Sequence, residues 1–106
     1  MTKLIFFKNG EHYIGFSCKD HSGYAEEGYD IVCAAISSAV QMTAAYLEKY
    51  FTEDIKLTVD EQNALIEVKC NGFFQEADRQ ISILEDFVKE LSAQYSDYIT
   101  FDYLEV

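Results

Sequence analysis

Residues 31–51 read IVCAAISSAVQMTAAYLEKYF, a run in which apolar side chains recur at intervals of three and four. That spacing places them in one stripe, as expected of a helix that packs against a core. Asp30 precedes the run and is a good N-cap, because its carboxylate can accept a backbone N–H of the first turn. The pattern predicts a helix over 31–51 that buries one face and begins just after Asp30.

The segments on either side of this helix show further strand and helix patterns. Asn9-Gly10 is a strong hairpin signal, and its two-residue turn would place Ile5 opposite Ile14. A second amphipathic stripe predicts another helix, with Glu85 on its outer face. The predicted elements are strands 3–8, 11–18, 55–60, 64–70 and 98–104, and helices 31–51 and 75–95.

The resulting order, ββαββαβ, predicts an α+β fold. Each helix has a single apolar stripe, and packing both helices on one face of a mainly antiparallel sheet is the simplest way to bury them. No linker interrupts the chain, so we predict a single domain over 1–106. Several side chains expected on the other sheet face are aromatic, which favours a homodimer that covers them.

Charge and composition narrow the classes of function. Nineteen acidic and eight basic residues give a formal net charge of −11, which disfavours direct nucleic-acid binding. The same charge suits a basic protein partner, and it also serves solubility. No apolar stretch approaches the length of a membrane span, so we expect no membrane association. Three cysteines without a signal peptide predict free thiols in the cytoplasm.

The candidate chemistry lies in residues 21–37, HSGYAEEGYDIVCAAIS. His21 falls in a loop predicted over 19–29, and Cys33 falls in the first turn of the predicted helix. Unpaired N–H groups of a first turn stabilise a thiolate or an oxyanion, and an imidazole can accept the thiol proton. Cys33 is thus the candidate nucleophile and His21 its base. The alternatives are that Cys33 is a buried structural cysteine and that His21 is a solvated loop histidine. His12, inside the first hairpin, is a weaker candidate base.

Four neighbouring residues could support this pair. Ser37 lies one turn after Cys33, where its hydroxyl can bond near the thiol or bond back to its own helix. Asp30 is expected to cap the helix rather than to orient the histidine. Gly23 and Gly28 suggest that the loop can move, as a gate over a substrate does.

A zinc site is a competing interpretation, because Cys18, His21, Cys33 and Cys70 are ligand types that suit zinc. The spacing argues against it, since structural zinc sites usually pair their ligands in tight knuckles, whereas Cys33 and Cys70 stand alone. We therefore expect no metal and no other cofactor.

The same run resembles the signature of the bacterial ribosomal-processing cysteine proteases, roughly Gly-His-Ala, a spacer, then Gly-x-Asp-Ile-Val-Cys-Ala-Ala-x-Ser. Residues 28–37 match the cysteine half in full. The resemblance implies a dimeric cysteine endopeptidase with Cys33 as nucleophile and His21 as base. It also implies a substrate, the basic precursor of large-subunit ribosomal protein twenty-seven, which loses a short N-terminal extension.

The histidine half departs from that signature at Asp20, where the family usually has glycine. Aspartate restricts the backbone more than glycine does, and its charge can raise the basicity of His21. Asp20 therefore leaves open a second interpretation, a non-catalytic acidic dimeric module that binds a ribosomal or assembly protein. A reactive Cys33 would favour the protease, and an inert Cys33 the binding module.

Overall fold

The computed structural model describes the backbone over residues 2–20 and 27–106, and side chains over 2–19 and 31–106. Its elements follow the predicted α+β order. They are β1 (Thr2–Asn9), β2 (His12–Asp20), α1 (Glu27–Tyr50), β3 (Ile55–Asp60), β4 (Leu65–Cys70), α2 (Gln75–Gln94) and β5 (Ile99–Glu105).

The five strands form one sheet in the order β3-β4-β2-β1-β5, and its neighbours are antiparallel except for the parallel pair β1 and β5. Both helices pack on one face of this sheet, as predicted. Full burial of one large aliphatic or aromatic side chain is worth about 1.5–3 kcal/mol, so the shared core dominates the stability. Its sheet residues include Leu4, Phe6, Phe16 and Val68, and its helix residues include Val32, Ile36, Leu47, Ile81 and Val88.

The first hairpin turns one residue later than predicted. Gly10 and Glu11 form the turn, and Gly10 has φ +64°, a left-handed conformation that glycine adopts without steric cost. A bulge within the hairpin adds a further shift. Ile5 consequently lies opposite Ser17 and not Ile14, so the predicted register is wrong. A one-residue slip reverses which side chains face the core, and periodicity alone does not detect it.

Among the described strand positions, the sheet face away from the helices carries mostly charged and polar rather than aromatic side chains. Phe7 is the one aromatic residue among the strand positions on this face; it is 5% exposed, with the Lys69 ammonium 5.0 Å from its ring centroid. The prediction of several aromatic side chains on this face is therefore wrong, and the homodimer stays a prediction. The pairing register places four lysines there, Lys3, Lys19, Lys56 and Lys69.

Most of α1 is unusually apolar. Its segment Ile31–Tyr50 is long and apolar enough, by length and composition alone, to cross a membrane, with a mean hydropathy of 1.3. The expectation that no stretch approaches such a length is therefore wrong. The core helix of a soluble protein meets the same criteria, and Val32, Ile36 and Val40 lie in the core here.

Glu85 is a buried residue of α2, 5% exposed, and not an outer-face residue as predicted. Its carboxylate accepts hydrogen bonds from the hydroxyls of Tyr103 and Tyr13, and Lys89 Nζ lies 3.7 Å from Oε2. Burial raises the pKa of Glu85, but these hydrogen bonds and the lysine charge outweigh burial and hold it below the ordinary value. A buried carboxylate with such partners ties α2 to β2 and β5.

We expect Glu85→Gln to destabilise the protein by about 1–3 kcal/mol at neutral pH, because it removes a charged acceptor from buried hydroxyls. The folded-state pKa is lowered, so this contribution is fully present above the ordinary pKa of 4.5 and is lost as the pH falls through the folded value. Urea unfolding of wild type and variant across this range measures the difference.

Glu90→Gln is the matched control, because Glu90 is exposed on the same helix. We expect it to change the free energy of unfolding little at any pH. A Glu85→Gln effect that stayed constant down to low pH would contradict the assignment of a lowered pKa.

Candidate active site

A groove of about 540 Å³ runs between α1 and the β3–β4 hairpin, on the helix-covered side of the sheet. It exists because α1 leaves the inner face of β3 partly uncovered, so that Val59 is 58% exposed. Leu57, Val59 and Ile66 give the groove an apolar floor. Its α1 wall runs from Cys33 to Glu48, which places the candidate nucleophile at one end.

Cys33 is half-buried at this end of the groove, beside Thr2 and Cys18. The Thr2 hydroxyl oxygen lies 3.6 Å from the Cys33 sulfur, within hydrogen-bonding distance for sulfur. Thr2 is only 1% exposed and follows the core-facing alternation of Leu4 and Phe6 along β1. The start of β1 therefore contacts the end of α1 that carries Cys33.

The start of α1 differs from the prediction, because the helix begins at Glu27. Asp30 is then the fourth helical residue and not the N-cap, and Gly28 is the second helical residue rather than part of a loop. Negative charge in a first turn is favourable with the helix dipole, which offsets the poor helix propensity of glycine.

Cys33 is the seventh residue of α1 and not the third. Its N–H group therefore belongs to the helix interior, where it bonds the carbonyl four residues earlier. The prediction that this N–H is an unpaired first-turn group, available to an oxyanion, is wrong. The dipole effect also falls off beyond the first turn, so the helix terminus stabilises a Cys33 thiolate less than predicted.

The loop predicted over 19–29 is too long at both ends. β2 continues to Asp20, and α1 begins at Glu27. His21 and Gly23 lie outside the described residues, as does the side chain of Asp20. The roles predicted for His21 as the base and for this segment as a gate stay predictions.

Ser37 lies one turn after Cys33 and lines the same wall of the groove. Its hydroxyl oxygen accepts a hydrogen bond of 2.9 Å from the Gln41 side-chain amide. Because the Ser37 hydroxyl is the acceptor in this bond, it keeps a proton that it can donate. The two predicted roles of this hydroxyl, near the thiol or back to the helix, stay predictions.

The predicted zinc ligands do not all meet. Cys18 borders the groove, whereas Cys70 lies four residues along β4 from Ile66, the strand partner of Cys18. Burial, reinforced by the nearby charge of Asp54, raises the pKa of Cys70 to about 11, so its thiol is protonated at neutral pH. Over residues 2–19 and 31–106, no group of three His, Cys, Asp or Glu side chains could hold a metal ion.

His12 lies far from the groove, at the hairpin end of β2. Its ring is exposed, with Nδ1 3.4 Å from an Asp78 carboxylate oxygen and its centroid 4.1 Å from that of Phe73. Six residues of strand, about 20 Å, separate it from Cys18. Of the two histidines in the chain, His21 alone directly follows the end of β2 that reaches the groove.

No role is predicted from the sequence for two residues at the groove, Thr2 and Gln41. Thr2 continues the alternation of Leu4 and Phe6, so a strand begun one residue earlier would have placed its hydroxyl on the core face. Gln41, the partner of Ser37, follows it by one helical turn. Only the packing of β1 against α1 shows that Thr2 contacts the candidate nucleophile.

Comparison with known proteins agrees with a peptidase. Residues 1–100 match the family model described as cysteine protease Prp, and no curated protein matches the chain. SMU.848 from Streptococcus mutans is similar in structure, with a TM-score of 0.79 and 18% identity over 100% of this chain and 96% of that one.

A second similar structure is an essential ribosomal processing protease Prp from S. aureus in complex with a substrate peptide. It has a TM-score of 0.83 and 17% identity, over 98% of this chain and 100% of that one. The S. aureus protease with a covalently linked product peptide gives the same TM-score at 18% identity, with the same coverage. At these identities the structures show a shared fold, whereas the family model spans nearly the whole chain. The chain therefore belongs to the cysteine protease Prp family.

Proposed function

We propose that this cysteine protease removes the N-terminal extension from the precursor of large-subunit ribosomal protein twenty-seven, with Cys33 as nucleophile and His21 as base. The observation that carries the proposal is the position of Cys33, half-buried at one end of an open, largely apolar groove. A cysteine in that position is accessible to an extended peptide, and the groove can hold the residues next to the bond that is cut.

Strand pairing supports the choice of His21. Thr2 contacts the Cys33 sulfur, and in the β1–β2 hairpin it pairs with Asp20. Paired residues of antiparallel strands lie about 5 Å apart, Cα to Cα. His21 is the next residue after Asp20, so the chain enters the segment that carries the imidazole close to the thiol.

The reaction then follows the chemistry of a Cys–His pair. His21 accepts the thiol proton, and the Cys33 thiolate attacks the scissile carbonyl carbon to give a tetrahedral oxyanion. His21 returns the proton to the leaving amine, which frees the C-terminal product and leaves an acyl-enzyme. Water, deprotonated by His21, then releases the N-terminal fragment. Ser37 is the candidate side-chain donor to the oxyanion, since the Cys33 N–H lies inside the helix.

The charge of the groove supports a basic client. Glu48, Asp60 and Glu61 line it, and the chain carries a net charge of −11. Complementary charge speeds the encounter of partners and orients them. The S. aureus neighbour is described as a ribosomal processing protease, which agrees with a ribosomal precursor as the substrate here.

We also infer that the protein acts in the cytoplasm, where ribosomal protein precursors are made. The family resemblance supports a homodimer, and this inference does not depend on the outer face of the sheet, where the side chains are mostly charged and polar.

Removing either member of the Cys–His pair should abolish cleavage of the extended precursor. We expect one defined N-terminal cut by the wild type, and a loss of at least about 100-fold in Cys33→Ala and His21→Ala. Intact mass spectrometry of the precursor after incubation measures the cut. Cys70→Ala is the matched control and should cleave normally, because this thiol is protonated and outside the groove. Cleavage that survived Cys33→Ala would sink the assignment.

The non-catalytic binding module is the second candidate, and Asp20 is the observation that favours it. Under this alternative, the wild type binds the precursor without cutting it. Asp20→Gly should then restore cleavage, because glycine returns the backbone freedom that aspartate restricts. Cleavage by the wild type at a rate similar to that of Asp20→Gly would exclude the binding module.

A charge on the groove floor should weaken substrate binding more than it slows the chemical step. We expect Val59→Lys to raise KM about tenfold with little change in kcat, because it places an ammonium where an apolar peptide side chain would pack. Thr58→Lys is the matched control, since Thr58 belongs to the same strand and faces the other side of the sheet. Steady-state kinetics with the precursor measure KM and kcat for both variants. Equal effects of Val59→Lys and Thr58→Lys on KM would show that the groove is not the binding site.

A further inference from the structure

We propose that Thr2 is a positioning residue for the nucleophile: its hydroxyl donates a hydrogen bond to the Cys33 thiolate and holds the sulfur toward the groove. This inference rests on the proposed role of Cys33. It goes beyond the Cys–His pair because it assigns stabilisation of the thiolate to a residue of β1, an interior strand of the sheet.

The contact is built into the sheet. The Thr2 hydroxyl oxygen is 3.6 Å from the Cys33 sulfur, and the residue is 1% exposed. Its backbone is held on both sides, because β1 lies between β2 and β5 and the Thr2 N–H donates to the Tyr98 carbonyl at 2.9 Å. A hydroxyl on such a fixed backbone is preorganised, so forming the bond costs little conformational entropy.

The chemistry of the two groups sets the direction of the bond. A hydroxyl can donate or accept, so a protonated Cys33 allows either arrangement. A thiolate can only accept, and a hydrogen bond to a charged acceptor is about twice as strong as one between neutral groups. The Thr2 hydroxyl therefore stabilises the thiolate more than the thiol. It keeps its own proton, and the proton of Cys33 passes to His21.

The position of Cys33 within α1 gives such a donor a role. Because the helix begins six residues before Cys33, the sulfur does not lie in the first turn, whose N–H groups are unpaired. The core face of β1 otherwise carries apolar residues such as Leu4 and Phe6, whereas Thr2 brings a hydroxyl within hydrogen-bonding distance of the Cys33 sulfur.

The test compares Thr2→Val, which keeps the shape and removes the hydroxyl, with Thr2→Ser, which keeps the hydroxyl. The rate of Cys33 alkylation by iodoacetamide is followed against pH, from the mass of the peptide that contains Cys33. We expect Thr2→Val to raise the apparent pKa of the Cys33 thiol by about one unit, which is a tenfold change in the thiolate equilibrium. Thr2→Ser should restore the wild-type profile.

Thr43→Val is the matched control, because the Thr43 hydroxyl bonds the Ala39 carbonyl on α1 and does not line the groove. We expect no change in the alkylation profile of this variant. In the precursor assay, Thr2→Val should lower kcat about tenfold with little change in KM, as loss of nucleophile stabilisation requires.

An alkylation profile of folded Thr2→Val that matches the wild type would overturn the proposal. So would a Thr2→Ser profile shifted by about one unit from that of the wild type, because a retained hydroxyl would then fail to hold the thiolate; this comparison with the wild type stands even if the valine variant fails to fold. Alkylation needs no substrate, so it tests the Thr2 contact separately from the proposed nucleophile. A shifted Thr2→Val profile would support the contact even if Cys33→Ala still cut the precursor. Cleavage by Cys33→Ala would then refute Cys33 as the nucleophile.

Discussion

The pairing of β1 with β2 at the centre of the sheet is the interaction on which the rest of the structure depends. Its register directs Leu4, Phe6 and Phe16 into the core that both helices cover. The same register sets Asp20 opposite Thr2, at the end of the hairpin where α1 presents Cys33. One set of backbone hydrogen bonds thus organises both the hydrophobic core and the proposed reaction centre.

The early start of α1 changes how the nucleophile can be activated. A cysteine in a first helical turn would take much of its stabilisation from free N–H groups and the helix dipole. In the second turn it depends on the residues that pack around it, which come from other elements. Among the described residues, Thr2 from β1 and Ser37 from the same helix wall are two polar residues that line the groove with Cys33.

The distribution of charge sharpens the electrostatic argument. Four of the eight basic residues, Lys3, Lys19, Lys56 and Lys69, lie on the sheet face away from the groove. Glu67 and Asp102 share that face by the same pairing and offset part of this charge, whereas Glu48, Asp60 and Glu61 line the groove. On the opposite side of the core, the buried Glu85 carboxylate anchors α2 through Tyr13 and Tyr103. Acidic residues thus have two roles here, one in stability and one in the attraction of a basic substrate.

The sequence by itself determined the order of elements, the strand over 55–60, the second helix to within a residue and the residues that resemble a Cys–His pair. These features depend on local periodicity and on short-range spacing, which are encoded within a few residues. Tertiary structure decided the register of the first hairpin, the burial of Glu85 and the contact of Thr2 with Cys33. Glu85 and Tyr103 are 18 residues apart in the sequence, and Thr2 and Cys33 are 31 residues apart. Contacts between such distant residues contribute energy only when packing of the core brings their segments together.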